Sequence, residues 1–202
     1  MRIVVGITGA SGVIYGIRLL EALRQLGSET HLILSRQAEQ LIVAETSYEP
    51  KAVRSLAAYA YAEDDLHAPV ASGSFLWQGM VIAPCSMKTL AGIAAGYAEN
   101  LIQRAADVTL KEGRRLILMP RESPFSALHL ENMLKLARHG VIIAPPIPAF
   151  YAQPATVNDI VIFAVARILD LLGLEHRLCQ RWGEGCVGEK QQSAVTPGNG
   201  KG

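Results

Sequence analysis

Hydrophobic residues in this chain alternate between short continuous apolar runs and longer segments in which apolar residues return at helical spacing. The continuous runs predict strands at 2–7, 30–35, 79–83, 115–119 and 141–144. The helical spacing predicts helices from Gly12 onward and at 36–45, 51–60, 86–95, 100–114, 125–139 and from Val157 onward. The segment 62–74 is polar and rich in turn residues, which predicts a loop.

Strands that alternate with helices and are apolar throughout are typical of a parallel sheet covered on both faces. The pattern therefore predicts an α/β fold, a doubly wound three-layer parallel sheet of the flavodoxin-like or Rossmann-like type. Ligands of such sheets bind beyond the carboxyl ends of the strands. Residues that follow the predicted strands are thus the candidates for function, and they are 8–11, 35–36, 84–86, 120–122 and 145–146.

The loop after the first strand reads Thr-Gly-Ala-Ser-Gly and leads into a helix. A helix N-terminus with small residues before it suits a phosphate, because its backbone N–H groups lack intrahelical partners. The loop lacks the full G-x-G-x-x-G fingerprint and a P-loop lysine. Two interpretations stay open, a phosphate or nucleotide site and a purely structural turn.

Composition narrows the class of protein. The chain has 202 residues, enough for one domain, and its 18% charged residues fall below the roughly 25% of typical soluble domains, which favours homo-oligomerisation. A net charge of +1 argues against a nucleic acid or a membrane surface as partner. Cys85, Cys179 and Cys186 form no C-x-x-C pair, which favours a reducing compartment, the cytoplasm, over a disulfide or zinc framework.

Charged residues at special positions are the next candidates. The last predicted helix has a core-facing stripe of Val157, Ile160, Ala164, Ile168 and Leu171. Arg167 lies near the middle of that stripe and needs either an anionic partner or a route to water. Arg104, Asp107 and Lys111 share one helix face, for which a solvated charge ladder is the favoured interpretation. Arg121 and Glu122 follow a strand directly, where a site is expected.

A second group of residues gives weaker signals. Glu45 ends a helix whose dipole opposes a carboxylate there, so it is either held by something else or simply exposed. His129 has no partner at a recognisable spacing and is expected on a helix face. Tyr151 and Trp182 are expected in the core or an interface. Cys85 has no basic neighbour in sequence and is expected to be a buried, inert thiol.

With these positions laid out, the chain resembles the UbiX-type flavin prenyltransferases over residues 2 to about 183. The resemblance is carried by ITGASGVIYGIRLL, by the helix ending AETS, by RWGE near the end, and above all by the block from ASGSFLWQ through SMKTLAGIAAGYAENLIQRAADVTLKEGRRLILMPRES to APPIPAFY. It implies a flavoprotein domain at 1–183. The remaining residues, 184–202, are polar and glycine-rich and are expected to form a flexible tail.

The resemblance implies an activity. Members of the family bind FMN and join a dimethylallyl group, delivered as dimethylallyl phosphate, to N5 and C6 of the reduced flavin. The product, prenylated FMN, serves a UbiD-type decarboxylase, including the one that acts on the ubiquinone precursor. The family also implies a dodecamer, and no metal is expected.

The same resemblance implies roles for individual residues. It places at the flavin Gly9, Ala10, Ser11, Ser35, Ser86, Met87, Lys88, Thr89 and Arg121, with Arg104 assigned to the same cofactor-binding group. It places at the isoprenyl phosphate Lys111, Arg121, Glu122, Tyr151 and Arg167, some of them supplied by a neighbouring subunit. Ser11 and Glu45 match a pair near flavin N5, and Trp182 matches an aromatic wall. The residues implied in catalysis are Ser11, Glu45, Lys111, Glu122, Tyr151 and Trp182.

Two alternatives stay open at this point. One is an FMN-dependent decarboxylase of a small acid or a cysteinyl peptide, which would need a catalytic histidine near the first loop, where this sequence has none. The other is a flavin-binding accessory subunit of an aromatic acid decarboxylase. Transfer of a five-carbon unit to reduced FMN by the purified protein separates both from a prenyltransferase.

Overall fold

A computed structural model of the chain describes residues 1–179. The strands are β1 (Arg2–Ile7), β2 (Glu29–Leu34), β3 (Tyr59–Ala62), β4 (Gly79–Cys85), β5 (Arg115–Pro120) and β6 (Ile142–Ile143). The α-helices are α1 (Val13–Gln25), α2 (Arg36–Glu45), α3 (Pro50–Arg54), α4 (Met87–Ala95), α5 (Leu101–Lys111), α6 (Ala127–Arg138) and α7 (Val157–Leu172). Short 3₁₀ turns lie at Pro69–Ala71 and Phe150–Ala152.

Residues 1–179 form one six-stranded sheet in the order β3-β2-β1-β4-β5-β6, and each adjacent pair is parallel. This order reverses direction between β1 and β4, which pair from Ile3 with Gly79 to Gly6 with Ile82. Ligands of doubly wound sheets bind in the crevice at such a reversal, outside the carboxyl ends of the strands. The predicted fold class is confirmed.

Two apolar cores cover the two faces of the sheet and make the three layers. One core joins the strands to α1, α2 and α7, and the other joins them to α4 and α5. Helix α1 lies unusually close to the sheet because Gly16 has no side chain. A Cβ atom on Gly16 would lie 2.3 Å from the carbonyl oxygen of Ala83 and 2.7 Å from Cδ1 of Ile7. The absent methyl group therefore sets the spacing between α1 and β4.

One predicted element is wrong. The segment 51–60 was expected to be a short helix, but the helix ends at Arg54 and Tyr59–Ala62 forms β3, the edge strand beside β2. Its alternating Tyr and Ala residues are mostly exposed, so they lack the apolar run that marks the other strands. The main-chain pairing with β2, which local sequence does not reveal, decides the conformation here.

Two sequence-based predictions, the tail at 184–202 and the placement of Trp182, lie outside residues 1–179. Within the described part of the chain, none of the helices combines the length and the apolar character that crossing a lipid bilayer requires. The same residues contain no group of three or more His, Cys, Asp or Glu side chains arranged to hold a metal ion.

Candidate functional site

Thr8 joins the loops that follow β1 and β4. Its hydroxyl donates a 2.8 Å hydrogen bond to the carbonyl oxygen of Pro84 and accepts one of 2.8 Å from the backbone N–H of Ser86. The Thr8 side chain is almost fully buried, at 2% exposure, so both bonds are shielded from water. The two loops that flank the crevice are therefore held together by one threonine, which the sequence analysis did not single out.

Glu45 lies beside the first loop, as the resemblance implied. Its carboxylate accepts a 2.7 Å hydrogen bond from the backbone N–H of Gly12, the residue that precedes α1. Ser11 is the adjacent residue in the loop. A carboxylate at the C-terminus of α2 is unfavourable on its own, but the positive N-terminus of α1 offsets that cost. Since this helix end already faces a carboxylate of the protein, it is less suited to a phosphate than the sequence of the loop alone indicated.

A cavity of about 190 Å³ lies at the carboxyl ends of β1, β2 and β4, and we call it the N-cap cavity. Its described lining includes three residues that are N-caps of helices: Ser35 caps α2, Ser86 caps α4 and Asn100 caps α5. Each cap side chain accepts a hydrogen bond from a backbone N–H in the first turn of its helix. Three positive helix ends thus converge on one small cavity, which favours an anion.

Further residues of the N-cap cavity complete its polar lining. Gly9, Lys88 and Thr89 line it, and Met87 begins the helix from which Lys88 and Thr89 project. Gly9 packs tightly, because a Cβ atom there would lie 2.4 Å from Cβ of Gln37. The Lys88 side chain is exposed, and its Nζ atom forms a surface ion pair with Oε2 of Glu99 at 3.6 Å. Because this pair is exposed to solvent, the ammonium group can leave it to contact a ligand in the cavity.

Glu63 is a lining residue that the sequence analysis missed. Its carboxylate accepts hydrogen bonds from the backbone N–H of Arg36 (3.0 Å) and from the Asn100 amide (3.3 Å), so it connects the starts of α2 and α5. Glu63 follows β3, a strand that the sequence analysis missed, and it lay within the segment 62–74 that was predicted as a loop. A correct assignment of β3 would have placed Glu63 at the carboxyl edge with the other candidates.

A second cavity, of about 320 Å³, lies at the carboxyl ends of β5 and β6, and we call it the Arg121 cavity. It is lined by Pro120, Arg121, Glu122, Ser123, Phe125, Pro145, Pro146 and Ile147. The backbone N–H of Arg121 donates a 3.3 Å hydrogen bond to the carbonyl oxygen of Cys85, which ties this loop to the end of β4. The sequence-based placement of Arg121 and Glu122 at the sheet edge is confirmed, and both are exposed.

Tyr15 lies beside the first loop and was not identified from the sequence. Its ring lies next to Gly12, where a Cβ atom would come within 3.1 Å of it. Partial burial raises the pKa of the Tyr15 hydroxyl, while the positive charge of Arg121 acts in the opposite direction.

Lys111 lies at the opposite edge of the sheet from these cavities. It ends α5, just before β5 begins, and its ammonium group pairs with Glu112. Arg104, seven residues earlier on α5, pairs with Asp107 at 2.8 Å and donates to the carbonyl oxygen of Ala71 at 3.1 Å. The charge ladder is thus confirmed for Arg104 and Asp107, but Lys111 takes a different partner.

Arg167 is exposed, and its predicted position in the core-facing stripe of α7 is wrong. Its side chain is 54% exposed and pairs with Asp170 at 2.7 Å. The buried face of α7 is rotated toward Val161, Val165 and Leu169, while Val157 is 77% exposed. Arg167 lies in the C-terminal part of α7. This end of the helix is at the amino edge of the sheet, because Arg115, the first residue of β5, donates a hydrogen bond to the carbonyl oxygen of Leu171. Arg167 therefore lies toward the same edge as Lys111.

Of the remaining described candidates, His129 and Cys85 fall where the sequence placed them, whereas Tyr151, expected in the core or an interface, does not lie in the core of the chain. Tyr151 is half exposed in the loop between β6 and α7, edge-to-face with Phe163 at 5.8 Å. His129 is partly exposed and caps α6 by accepting from the backbone N–H of Ser126, so its assignment to a helix face is confirmed. Cys85 is fully buried, and desolvation raises the pKa of its thiol, as expected of an inert cysteine.

Comparison with known proteins adds family information to this geometry. The Flavoprotein family model matches residues 1–169. The chain is 53% identical over 183 residues to flavin prenyltransferase UbiX of Methanocaldococcus jannaschii, covering 91% of this chain and 99% of that protein.

Two solved structures have the same fold. One is a dodecameric FMN-dependent UbiX-like decarboxylase from Escherichia coli O157:H7, with a TM-score of 0.89 and 54% identity, covering 90% of this chain and 99% of that one. The other is AnUbiX (PadA1) in complex with FMN and dimethylallyl pyrophosphate, with a TM-score of 0.89 and 51% identity over 90% of this chain and 96% of that one. The chain belongs to the UbiX-type flavin prenyltransferase family of flavoproteins.

Proposed function

We propose that this protein is a flavin prenyltransferase, which transfers a dimethylallyl group from dimethylallyl phosphate to N5 and C6 of reduced FMN. The observation that carries the proposal is the pair of cavities at one edge of the sheet, with Arg121 lining one of them and Glu45 bound to the first loop at the same edge. The chain's 53% identity to a flavin prenyltransferase supports it.

The N-cap cavity fits the phosphate end of FMN. Three helix N-termini and the hydroxyls of Ser35, Ser86 and Thr89 supply donors and positive potential there. Gly9 lines the cavity on the side of the first loop, where it allows Gln37 to pack closely. The cavity is too small for a whole flavin nucleotide, so the ring would extend along the edge past Ala10 and Ser11 toward Arg121.

When bound, reduced FMN supplies the two ring positions that accept the five-carbon group. Breaking the allylic carbon–oxygen bond leaves the electron pair on the phosphate oxygen, so the protein has to stabilise a developing dianion. Arg121 is placed for this in the Arg121 cavity. Glu122 lines the same cavity. Tyr151 lies in the loop that follows β6, where its ring can stabilise the allylic cation by a cation–π interaction. We assign Trp182 the same role.

Glu45 is the group that we assign to the proton on N5. One of its carboxylate oxygens accepts from the Gly12 N–H, and we assign the relay of the proton to the hydroxyl of Ser11, the preceding residue of the loop. The bond to the Gly12 N–H keeps the carboxylate in place before and after transfer. The released phosphate is the second acid–base group: it donates the proton that the remaining alkene needs before its tertiary carbon can bond to C6, and it accepts the C6 proton as the new ring closes.

Lys111 and Arg167 lie toward the amino edge of the sheet, and within one chain each pairs with a neighbouring acidic residue. We therefore propose a homo-oligomer in which these two cations face the Arg121 cavity of an adjacent subunit. Arg104, which pairs with Asp107, stays assigned to the FMN-binding group. The dodecameric state of the E. coli O157:H7 protein supports this arrangement.

We further propose that the product is handed to a UbiD-type decarboxylase and that the protein works in the cytoplasm. Chemistry supports the first part, because a prenylated flavin made by a separate enzyme needs an acceptor that uses it. Cysteine usage supports the second, since the buried Cys85 is free and no C-x-x-C pair occurs in the sequence.

The decisive test is an anaerobic incubation of the purified protein with reduced FMN and dimethylallyl phosphate, followed by mass spectrometry of the extracted flavin. We expect flavin that is heavier by one five-carbon unit. Unmodified flavin would refute the proposal. Unmodified flavin together with loss of CO₂ from an added aromatic acid would identify the decarboxylase alternative instead.

A further inference from the structure

Asp170 holds two side chains at once on the outer part of α7. One carboxylate oxygen, Oδ2, accepts from Nη1 of Arg167 at 2.7 Å, and the other, Oδ1, lies 3.1 Å from Nε2 of His176. The Asp170 and His176 side chains are only 16% and 2% exposed, whereas that of Arg167 is 54% exposed. A mostly buried pair therefore supports an exposed guanidinium.

The hydrogen bonds of His176 fix its tautomer. Nδ1 of the ring accepts from the backbone N–H of Leu178 at 3.3 Å, so in the neutral ring the proton resides on Nε2. Nε2–H then donates to Oδ1 of Asp170. This bond orients the carboxylate, because with Oδ1 engaged by a buried ring the second oxygen is directed outward to Arg167.

We propose that Asp170 and His176 are positioning residues for Arg167 and hold its guanidinium in the orientation that binds the phosphate of the isoprenyl donor. This rests on the proposed function, in which Arg167 contacts that phosphate in an adjacent cleft. An isolated exposed arginine samples many rotamers, and its ion pair with a carboxylate in solvent has little energy. A carboxylate that is itself fixed by a buried imidazole reduces this freedom before the donor binds.

The same contact connects Arg167 to the chain beyond α7. Gly173 ends the helix with a φ of 76°, and the backbone then returns so that His176 packs against Asp170, which lies one turn back. The course of the chain from Gly173 to Leu178 is therefore tied to the carboxylate that orients Arg167.

The test compares the kinetics of Asp170→Ala, His176→Ala and His176→Gln with those of the parent protein at saturating reduced FMN. We expect Asp170→Ala to raise the KM for dimethylallyl phosphate roughly tenfold, with kcat and the Kd for FMN within about twofold of the parent. His176→Ala should shift KM in the same direction. His176→Gln should restore it, because the glutamine amide can still donate to Asp170.

A double-mutant cycle separates positioning from a general loss of structure. In an Arg167→Ala background, Asp170→Ala should change the KM by less than about twofold, since the group that it orients is gone. Glu21→Ala is the matched control, because Glu21 pairs with Arg18 at the same three-residue spacing on α1. It should leave the KM for the donor unchanged.

The outcomes divide clearly. An active parent enzyme whose KM is unaffected by Asp170→Ala, or a fully additive cycle, overturns this inference while the proposed function stands. A parent protein that transfers no prenyl group overturns both. Crystal structures of the parent and His176→Ala proteins give a readout that is independent of turnover, and an Arg167 guanidinium that stays on Asp170 in both would also refute the role of His176.

Discussion

The carboxylate of Glu45 lies 2.7 Å from the backbone nitrogen of Gly12, so the C-terminus of α2 and the N-terminus of α1 share one hydrogen bond. Two helix ends of opposite dipole sign meet there, and the carboxylate lies on the positive one. This contact explains why a glutamate ends α2. It also fixes a base next to Ser11, at the point where the reactive edge of a flavin would pass.

Glu45→Gln should bind FMN but transfer no prenyl group. The amide retains an oxygen that accepts from Gly12, so the loop keeps its shape, but it cannot take the N5 proton. We expect kcat to fall by about 10² or more while the Kd for FMN stays within a few-fold. Stopped-flow flavin absorbance and fluorescence titration measure the two quantities.

Glu49→Gln is the control for that variant, because Glu49 lies nearby, is exposed and makes no side-chain hydrogen bond at the start of α3. It should behave like the parent protein. A Glu45→Gln enzyme that turns over normally would remove Glu45 from the proton pathway.

Two defective variants should complement each other when they are expressed together. Arg167→Ala should weaken donor binding, and Glu45→Gln should block transfer, but the two residues serve different clefts if Arg167 comes from a neighbouring subunit. A mixed oligomer then contains sites with both residues intact, about a quarter of the total for random mixing. The transfer rate of the co-expressed, co-purified mixture measures this recovery.

No recovery above the separate variants would place Arg167 and Glu45 in the same chain's site. The exposed residue Arg24, in the last turn of α1, provides the control. Arg24→Ala should have full transfer activity by itself. In a co-expressed mixture with Glu45→Gln, the transfer rate should equal the rate expected from the fraction of Arg24→Ala chains alone.

Thr8→Val should weaken both folding and FMN binding. The valine keeps the shape of the side chain but leaves the Pro84 carbonyl and the Ser86 N–H without their shared partner in a buried setting. We expect a loss of about 2 kcal/mol in the free energy of unfolding. Urea denaturation of the apoprotein gives this value, and Thr8→Ser, which retains the hydroxyl, should lose clearly less.

Gly16→Ala should destabilise the sheet–helix contact although alanine favours helices. The new methyl group would lie 2.3 Å from the Ala83 carbonyl oxygen, which belongs to the backbone and can yield only if α1 moves. We expect a cost of about 2 to 3 kcal/mol by chemical denaturation. Gly27→Ala, at a φ of 67° with open space around it, should cost about 1 kcal/mol. Equal losses at the two positions would argue against close packing at Gly16.

Stability should decrease with acid through Glu29. Hydrogen bonds from Arg2 and His31 lower the pKa of this carboxyl to about 2, from an ordinary value of 4.5. The native state therefore holds fewer protons there than the unfolded state, so its contribution is complete above pH 4.5 and is lost as the pH falls toward 2.

Urea midpoints measured between pH 6 and pH 2 test this. The slope within that window should be smaller in Glu29→Gln than in the parent, whereas Glu131→Gln, an exposed position on α6, should leave it unchanged. His31 adds a separate dependence that begins at higher pH, because its burial lowers its own pKa below 6.5. Identical slopes in the parent and Glu29→Gln would contradict the assignment.

Most of the fold could be predicted because the buried strands are short apolar runs and the helices begin at clear caps. Ser86 and Asn100 show this, since each caps the helix whose start its position indicated. Strand β3 could not be predicted, because its residues are exposed and only pairing with β2 makes it a strand.

The site was predictable where it depends on chain order and unpredictable where it depends on packing. Arg121 and Glu122 follow β5 and therefore had to lie at the carboxyl edge. The position of Arg167 depends on the rotation of α7 about its axis. The assumed stripe began at Val157, which is exposed, and Ile160, which is only partly buried, so the arginine seven residues after Ile160 is exposed.

Glu63 points to a mechanical role for the ligand. Its carboxylate already connects α2, from the first half of the doubly wound sheet, with the cap of α5, from the second half. A bound phosphate in the same cavity would add a second connection between the two halves of the sheet. Cofactor loading should therefore stiffen the boundary between the two halves of the molecule, and amide protons at the starts of α2, α4 and α5 should exchange more slowly together.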